Sequence, residues 1–571
     1  MTDGTGSTHE RTAAERVVLA GLLVLAALLR LPDLATRGTW DADQGHDMLV
    51  LRAFVRDGLV PLLGPPTSIG DFHHGAWYYY LLSPAAVLTG GDSALAVVVL
   101  IALAGVAAVG VTWWLARAMG GPVAGATAGL LMAISIAAID ESTFIWNPNL
   151  IALSSSVALA GAWRAWTTRR PRWWLLAAVG TALTMQLHVL GVTLLPVVAA
   201  LFVADLRRSP AGTGRGSVAR MGLVALGILA VAYVPLAVHE LTADFSETRA
   251  IIDYLAGGAG NGAVALPVRL GIVGLRVVGW PLTGLITAGF LPAVAATALV
   301  VGLVAWRWRT RGASSRERVA VRWLGLGLAW SVVALAVVAP SLSTVVAGLP
   351  NDHYHAFADP IVFVLVGLGV AGLVRGGGQG GRHEDGRQDG RQDERLAERL
   401  ADRLADRIAR PGLVVAALIV FALAGWNLTR LPPAVAADWG YPAARSGARR
   451  VEAALAAAGV GTDAPVVVRS LPDFKSTEAM AYPLVRFGRR VDAATPRGPA
   501  PGSVRGVPAG LRSPLVLLCD DLFAASIGAA CGGPAEARIT LEAGSPAFGA
   551  LMDRFEVAPG RFVSVYRPAA P

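Results

Sequence analysis

Two polar stretches near the start of the chain decide how the rest of the sequence is interpreted. Residues 39–58 read TWDADQGHDMLVLRAFVRDG, and residues 71–84, which follow a Pro/Gly turn, read DFHHGAWYYYLLSP. Both lie between two apolar segments, residues 17–31 and 94–116. Acidic groups so close to membrane-spanning segments are costly unless they have a function. We therefore expect this loop to form the floor of a catalytic site in a membrane protein.

The composition also indicates a membrane protein. Of the 571 residues, 54% are hydrophobic and only 16% are charged, and the mean hydropathy is +0.54, whereas soluble domains carry about 25% charged residues. The formal net charge of +9 comes almost entirely from arginines, many of them in short loops between apolar runs. Arginine in short loops is a marker of membrane topology, so the charge does not indicate nucleic-acid binding.

Apolar runs close to the ~20 residues needed to cross a bilayer recur within residues 17–428, the predicted transmembrane domain. The run at residues 173–204 is too long for one helix and has basic residues at both ends, so we split it near His188 and Gly191. This gives about eleven spans, namely residues 17–31, 94–116, 123–139, 150–165, the two halves of 173–204, 221–238, 284–306, 323–346, 360–374 and 414–426.

Charges in the loops predict the orientation of these spans. Arginine-rich loops alternate with acidic ones, which places the N-terminal tail, residues 1–16, in the cytoplasm and the C-terminus outside. The first outer loop is then residues 32–93. Residues 376–410 end in ERLAERLADRLADRIAR and predict a charged cytoplasmic helix without chemistry. Residues 266–283, interrupted by two arginines, predict an interfacial amphipathic segment, with a span as the alternative.

Residues 429–571 predict a small extracytoplasmic α/β domain. A helix is expected at residues 451–458, and short strands are expected at residues 465–468, 514–521, 538–541 and 562–566. Cys519 and Cys531 are the only cysteines of the chain. They predict either a disulfide or two small buried thiols.

Three aspartates in the first stretch are the candidate catalytic residues. Asp43 and Asp47 are four residues apart on a predicted helix, so they lie on one face, with His46 beside them. A carboxylate in apolar surroundings can act as a general base, and Asp41, Asp43 and Asp47 together could hold a divalent cation. The alternative is structural, with Asp43 as the N-cap of the helix and Asp47 favouring its dipole.

Histidines, aromatic residues and polar residues on the same predicted side are the candidate substrate-binding groups. Histidines can donate hydrogen bonds to a phosphate or a sugar hydroxyl, whereas aromatic residues are also common anchors at the bilayer interface. A lone histidine such as His188 also has a structural role as its alternative. The candidates are His46, His73, His74, Tyr78, Tyr79, Glu141, Asn147, His188, His353, Tyr354 and His355.

The chain resembles the GT-C membrane glycosyltransferases over roughly residues 15–430. The closest group is glycosyltransferase family 39 in the broad sense, which includes protein O-mannosyltransferases and lipid A aminoarabinose transferases. Asp43-Gln44, followed by a helix that ends at Gly58, resembles the Asp-Glu pair of that family, with Gln44 in place of the usual glutamate. The segments HHGAWYYYLLSP, IWNPN, QLHVL and HYH are similar to other motifs of the family.

The resemblance implies a polyprenyl-phosphate sugar as donor and an active site on the outer face of the plasma membrane. Asp43 would take a proton from the acceptor hydroxyl as this attacks the anomeric carbon with inversion, and Asp47 would support it. The acceptor would be a lipid, a glycan or a protein, and a divalent cation stays open as a cofactor. The candidates to stabilise the departing phosphate are Arg52, His73, His74, His353 and His355.

Other functions share the pattern of many spans. A transporter or flippase for polyprenol-linked substrates should place polar groups near the bilayer midplane on broken helices, often within internal repeats. His188 is the one candidate for such a group, and the sequence has no clear repeat. A glycan ligase that uses a polyprenyl pyrophosphate carrier and a non-catalytic scaffold are the remaining alternatives.

Overall fold

A computed structural model of the chain describes residues 12–67, 71–257, 264–284, 289–310, 314–344, 354–375, 411–473, 475–495, 498–499, 513–542 and 548–568. The predicted cytoplasmic helix at residues 376–410 lies outside these described residues, and so does His353.

The membrane portion is built from helices that follow the apolar runs of the sequence. In chain order, the helices before the C-terminal domain are α1 (Ala13–Arg30), α2 (Leu34–Arg37), α3 (Ala42–Asp57), α4 (Trp77–Thr89), α5 (Ala94–Gly120), α6 (Pro122–Ile134), α7 (Ile136–Asp140), α8 (Ile151–Thr168), α9 (Trp173–Leu187), α10 (Leu194–Arg208), α11 (Thr213–Ala232), α12 (Val234–Thr242), α13 (Ser246–Ala256), α14 (Leu266–Gly274), α15 (Trp280–Thr283), α16 (Phe290–Arg309), α17 (Ser315–Val338), α18 (Asp359–Arg375) and α19 (Pro411–Leu428).

Seven of the described helices are long and apolar enough to cross a membrane: α5, α10 with the short turn before it, α11, α16, α17, α18 with the short turn before it, and α19. Helices α6 and α9 are apolar but shorter. The structure therefore has the membrane-spanning character predicted from the sequence. The count of about eleven spans, the cytoplasmic N-terminus and the outer C-terminus stay predictions.

The long apolar run at residues 173–204 is broken at the predicted position. Helix α9 ends because His188 adopts an extended backbone, and a 3-10 turn, Val189–Thr193, precedes α10. The turn packs tightly on the end of α9, since a Cβ atom on Gly191 would lie 2.3 Å from the carbonyl oxygen of Thr184. Only glycine permits that approach.

The prediction of an interfacial segment at residues 266–283 is wrong for its second half. After α14, a turn of π-helix, Leu275–Gly279, leads into α15, and residues 276–282 are all buried. Arg276 is tolerated in the interior because its guanidinium donates to the carbonyl of Leu342 at 2.8 Å. The sequence could not distinguish the two cases, because a buried arginine that donates to a backbone carbonyl and an exposed arginine occur at the same helical spacing.

The first loop forms a small folded unit rather than an open connection. Helix α3 ends at Gly58, whose φ of 68° is the left-handed conformation that glycine adopts without strain. A two-stranded hairpin of β1 (Leu63–Pro66) and β2 (His73–Gly75) follows, and α4 carries the three consecutive tyrosines. The unit therefore presents α3 and α4 side by side.

The C-terminal domain is a six-stranded mixed sheet with helices. Its strands are β3 (Val466–Leu471), β4 (Val491–Thr495), β5 (Gly498–Pro499), β6 (Leu515–Asp520), β7 (Leu551–Ala558) and β8 (Arg561–Tyr566), in the order β5-β4-β3-β6-β8-β7. Strand β3 runs parallel to β4 and β6, and the other pairs are antiparallel. Its helices are α20 (Gly440–Ala457), α21 (Thr477–Arg486), α22 (Ala524–Ile527) and α23 (Pro534–Glu542).

Three of the four strands predicted for this domain are present. The strand predicted at residues 538–541 is wrong, because this segment lies in α23, which starts at a proline and has Glu536 in its first turn, both favourable at a helix start. Of the two interpretations of the cysteines, the disulfide is the one observed, between Cys519 and Cys531.

Helix α21 of the C-terminal domain lies directly on α3 of the first loop. A Cβ atom on Gly45 would lie 2.2 Å from the carbonyl oxygen of Glu478 and 2.6 Å from the amide nitrogen of Ala479. Next to this contact, the buried indole of Trp40 donates from Nε1 to the carbonyl of Ala479 at 2.9 Å. Its ring also packs against Tyr441 at a centroid distance of 4.5 Å. The first loop and the C-terminal domain are thus one packed unit.

We expect Gly45→Ala to weaken this packing, because the added methyl group overlaps backbone atoms that cannot rotate away. Overpacking of this kind costs about 1–3 kcal/mol. Thermal unfolding of the purified protein in detergent, together with protease cleavage between α19 and α20, measures the effect. Gly227→Ala in α11 is the matched control, since a Cβ atom there meets no atom within 4 Å. Equal stability of the two variants would contradict the tight contact.

Candidate functional site

Helix α3 begins after Asp41, so the predicted N-cap role of Asp43 is wrong. Asp41 has an extended backbone at the N-cap, and its N–H donates to Oε1 of Gln44 at 2.8 Å, as in a capping box. Gln44 follows Asp41 by three residues, the spacing that a capping box requires, and this fixes the helix start there. Asp43 lies inside the first turn of the helix and does not cap it.

Gln44 joins the first loop to a second predicted outer loop. Its side chain is buried, Oε1 accepts from Asp41, and Nε2 donates to the carbonyl of Ile145 at 2.9 Å. Ile145 belongs to the IWNPN segment. The amide suits this place because it presents one acceptor and one donor. A carboxylate would present acceptors only.

Asp41 is paired with cations from the C-terminal domain. Its Oδ1 accepts from the hydroxyl of Ser476 at 2.9 Å, and its Oδ2 lies 3.5 Å from both Lys475 Nζ and an Arg561 guanidinium nitrogen. Burial alone would raise the pKa of Asp41, but Arg561 and Lys475 outweigh it and hold the pKa below its usual value. Asp41 is therefore an ionised carboxylate with a structural role.

Asp47 is buried among hydroxyl donors. Only 1% of the residue is exposed, and its carboxylate accepts from Tyr78 at 2.7 Å and from Tyr79 at 2.9 Å. Burial raises the pKa of Asp47 to about 7, although both tyrosines and His46 oppose the shift. Two tyrosines and one aspartate thus fasten α4 to α3. Each carboxylate oxygen of Asp47 therefore already has a hydroxyl donor.

Asp43 differs from both of its neighbours. Its side chain is exposed, and among the described residues no group hydrogen-bonds or ion-pairs with its carboxylate. Neighbouring protein atoms still exclude part of the water around this carboxylate. This desolvation raises the pKa of Asp43, an effect that Lys475 opposes and that Asp41 and Glu478 reinforce. A carboxylate that is accessible, unpartnered and of raised proton affinity can accept a proton from a bound substrate.

Asp43 begins a row of side chains on α3 that leads into a cleft. His46 and Val50 follow it by three and seven residues, which places them on the same helix face. His46 and Val50, together with His73 and Tyr79, line a cavity of about 300 Å³. The structure therefore brings together three of the predicted substrate-binding residues, His46, His73 and Tyr79.

His46 is held in place by the C-terminal domain. Its Nδ1 lies 2.9 Å from Oε1 of Glu478, on α21. Burial would lower the pKa of His46, but the hydrogen bond and the charge of Glu478 raise it above its usual value. The carboxylate of Glu478 therefore makes His46, which lines the cleft, easier to protonate.

The adjacent histidines of β2 point to different partners. His73 donates its backbone N–H to Glu247 at 2.6 Å, and its Nδ1 lies 2.9 Å from the other oxygen of that carboxylate. His74 is buried, and its ring lies 4.4 Å from the ring of His188, which stacks on Tyr354 at 4.6 Å. Predicted residues from three separate segments, His74, His188 and Tyr354, thus form one column of rings.

The two buried histidines of this column are oriented by backbone amides. Nδ1 of His74 accepts from the N–H of Val189 at 3.3 Å, and Nδ1 of His188 accepts from the N–H of Leu190 at 3.1 Å. An Nδ1 atom that accepts cannot carry a proton, so each ring has its N–H at Nε2. Burial lowers the pKa of His74 to about 3, with the nearby His73 contributing, which keeps that ring neutral.

Two predicted residues have structural partners outside the cleft. Nε of Arg52 donates to Asp92 at 3.1 Å, and Arg56 pairs with the same carboxylate. Nδ2 of Asn147 donates to the carbonyl of Leu187 at 2.6 Å, at the end of α9. The prediction of Arg52 as a phosphate ligand is therefore not supported by its position. Asn147 instead fixes the helix end that precedes His188.

The remaining predicted residues lie apart from the cleft. Glu141 lines a separate small cavity of about 20 Å³ beside Arg30. His355 is fully buried and meets Trp280 edge-on, with ring centroids 5.6 Å apart. His353 lies outside the described residues.

The three aspartates do not fit a divalent cation. Within the described part of the chain, the one group of three potential ligands close enough to share an ion is Cys519, Cys531 and Glu536, and its cysteines form the disulfide. Asp41 already faces two cations, and the oxygens of Asp47 already accept from two hydroxyl groups. A hard cation needs several oxygens that converge on one point.

Sequence reasoning missed the contribution of the C-terminal domain to the site. Lys475, Ser476, Glu478 and Arg561 all approach the start of α3. One feature of the sequence could have drawn attention to the first of them, since Lys475 is the only lysine among the 49 lysines and arginines of the chain. No local pattern indicates which loop these residues contact.

Comparisons with known proteins agree with the predicted resemblance. Residues 73–237 match the family described as dolichyl-phosphate-mannose-protein mannosyltransferase. ArnT from Cupriavidus metallidurans bound to undecaprenyl phosphate is similar in structure, with a TM-score of 0.53 and 13% identity over 97% of this chain and 98% of that chain. The same protein in the apo state gives a TM-score of 0.53 and 14% identity over the same shares of both chains. No curated protein sequence matches the chain.

These likenesses confirm the resemblance to GT-C membrane glycosyltransferases at the level of the fold. The oligosaccharyltransferase from Archaeoglobus fulgidus in the apo form also matches, with a TM-score of 0.42 and 15% identity over 84% of this chain and 64% of that chain.

We expect Gln44→Glu to destabilise the protein at neutral pH, because it removes the donor to Ile145 and adds a buried charge. Leaving a buried acceptor unsatisfied costs about 1–3 kcal/mol. Thermal unfolding at pH 5 and pH 8 measures the effect, and the loss should shrink at pH 5, where a protonated glutamate can donate again. Gln44→Met is the control and should lose stability equally at both values. A glutamate variant as stable as the parent at pH 8 would refute the role of the amide.

Proposed function

We propose that the protein is a membrane glycosyltransferase that moves a sugar from a polyprenyl-phosphate donor to an acceptor hydroxyl, with Asp43 as general base. The observation that carries the proposal is the environment of Asp43. Asp43 alone among the three aspartates is both accessible and without a partner among the described residues. The fold shared with ArnT, solved with undecaprenyl phosphate, supports the class of donor.

The chemistry follows from one exposed carboxylate beside a cleft. Asp43 accepts the proton of the acceptor hydroxyl while the oxygen forms a bond to the anomeric carbon of the sugar. The bond from that carbon to the phosphate oxygen breaks, and the phosphate leaves with the electron pair. Attack from the face opposite the phosphate inverts the configuration. Asp41 and Asp47 hold the surrounding elements in place and take no proton from the substrate, because their oxygens already accept hydrogen bonds from other residues.

The departing phosphate is assigned to the cleft lined by His46 and His73. His46, with its raised pKa, supplies positive charge there, and His73 is a further donor that lines the same cleft. Arg52 is omitted because Asp92 neutralises it. Charge on these donors stabilises the leaving group more than the bound donor, which is what speeds the reaction.

Lys475 is assigned to keeping Asp43 ionised. Its Nζ lies 3.5 Å from Asp41, and its charge opposes the rise in the pKa of Asp43 that burial, Asp41 and Glu478 cause. A base must be unprotonated to accept a proton. The C-terminal domain thus contributes to the reaction by setting the charge state of a residue in the first loop.

The site is assigned to the outer side of the plasma membrane. The arginine-rich loops support this orientation, because such loops stay in the cytoplasm. The disulfide Cys519–Cys531 supports it independently, since disulfides persist in oxidising compartments. The C-terminal domain that carries the disulfide contacts the first loop, so both lie on one side. The sugar is a hexose or a pentose, and the acceptor is a lipid, a glycan or a protein.

We expect Asp43→Asn to lower the rate of sugar transfer by about a hundredfold to ten-thousandfold, the usual effect of removing a general base. The assay incubates purified protein with labelled polyprenyl-phosphate sugars and analyses the products. Asp57→Asn is the matched control, because Asp57 is exposed at the far end of the same helix. It should leave the rate unchanged.

Two outcomes of this assay would count against the proposal. Full activity of Asp43→Asn in a folded protein would remove Asp43 from the role of base. Movement of an intact labelled lipid between bilayer leaflets, with no transfer of its sugar by the unaltered protein, would favour the transporter instead.

We expect Lys475→Gln to move the acidic limb of the kcat/KM pH profile to higher pH by about one unit, the scale of one nearby charge. The reason is that loss of the ammonium raises the pKa of Asp43, so a higher pH is needed to ionise it. The other charged groups that face Asp43 are Asp41, Glu478 and His46, and all are unchanged. Lys475→Arg keeps the charge and is the control. An identical shift in both variants would contradict the electrostatic role.

A further inference from the structure

We propose that a second cavity, between the C-terminal domain and the start of α5, binds a membrane lipid with a phosphate headgroup. Its volume is about 410 Å³, and small-molecule sites commonly measure about 300–1,000 Å³. It shares no lining residue with the cleft of His46 and His73. The proposal therefore does not depend on the proposed function.

Positive charge without a partner marks one side of this cavity. Arg445 and Arg449 of α20 and Arg486 of α21 line it, and within the described residues none of them forms an ion pair. Arg486 donates to the hydroxyl of Tyr441 at 3.0 Å. The acidic residue in the wall, Asp92, is already taken by two other arginines. The cavity thus keeps an excess of positive charge.

Arg450, on the same helix α20, has hydrogen-bond partners that Arg445 lacks within the described part of the chain. Arg450 points away from the cavity and makes two parallel hydrogen bonds with Asp553, at 2.8 Å and 2.9 Å. Nε of Arg445, by contrast, is buried and has no acceptor among the described residues. An anion bound in the cavity would supply the acceptor that this donor lacks.

The other side of the cavity is apolar and includes the first turns of a predicted membrane-spanning helix. Leu34 follows α1, and Leu95 and Val98 belong to the first turns of α5, a helix long and apolar enough to span the bilayer. Leu95 is 44% exposed although it is a large apolar side chain. An apolar chain placed along these residues would be removed from water.

The two sides together select an amphiphilic anion. Guanidinium groups bind phosphate oxygens through paired charge-assisted hydrogen bonds, which an ammonium cannot reproduce. A headgroup beside Arg445 and Arg449 places its acyl chains toward Leu95, in the direction of the membrane. A free phosphate would satisfy the arginines and leave the apolar wall unused.

Cysteine labelling tests occupancy directly. Both native cysteines are joined in a disulfide, so Ser446→Cys, exposed in the cavity wall, introduces the single free thiol. In neutral detergent, phosphatidylglycerol should slow maleimide labelling of this thiol by about tenfold, and phosphatidylcholine should not, because one charge-paired headgroup contributes on that scale. Ser526→Cys, exposed outside the cavity, is the control and should label at one rate throughout.

Replacement of the arginines tests the cause of protection. In the Ser446→Cys background, Arg445→Gln with Arg449→Gln should abolish protection by phosphatidylglycerol, whereas Arg450→Gln should keep it. If thermal unfolding shows that the double variant is not folded, Arg449→Gln alone should reduce protection, since that residue is exposed.

Three results would overturn the proposal. The first is protection that survives the loss of both arginines in a folded protein. The second is equal protection by phosphatidylcholine. The third is equal protection by inorganic phosphate at the same concentration, which would identify a site for free phosphate and not for a lipid.

Discussion

The contact between two backbones at Gly45 is the constraint on which the arrangement of the site depends. Because residue 45 has no side chain, the start of α21 can lie directly on α3. That approach delivers Lys475 and Glu478 to the acidic residues of the first loop, and it seats Trp40 against the C-terminal domain. A larger residue would separate the domain from the helix and remove the charges that surround Asp43. The packing at Gly45 thus determines which charged side chains surround Asp43.

Three carboxylates within two turns of one helix acquire different properties from their surroundings. Two cations hold the pKa of Asp41 low, and burial beside hydroxyl groups raises the pKa of Asp47 to about 7. Asp43 keeps an open carboxylate with a raised pKa. The residue type is the same in each case, so only the environment distinguishes the two engaged carboxylates from the accessible one. Opposed shifts of this kind are a feature of many active sites.

Features that depend on local sequence were predictable, and features that depend on distant contacts were not. The break at His188 and the membrane-spanning character follow from apolar runs and basic ends. The predicted role of Asp43 as N-cap was wrong, because Gln44 pairs with Asp41 in a capping box that starts the helix two residues earlier. The contribution of Lys475 was missed, since more than 400 residues separate it from α3. Contacts over such separations have no periodic pattern to reveal them.

The packing of the C-terminal domain on the first loop sets a rule of parity for the membrane topology. With both segments outside the bilayer, as the sequence predicts, they are on the same side of it, and the chain between α3 and α20 then crosses an even number of times. The ten spans predicted between residues 94 and 426 obey this rule. An additional crossing at residues 266–283 would make the number odd. The second half of that segment is instead packed inside the protein, where Arg276 donates to the carbonyl of Leu342. The contact at Gly45 therefore limits the number of times that the membrane domain can cross the bilayer.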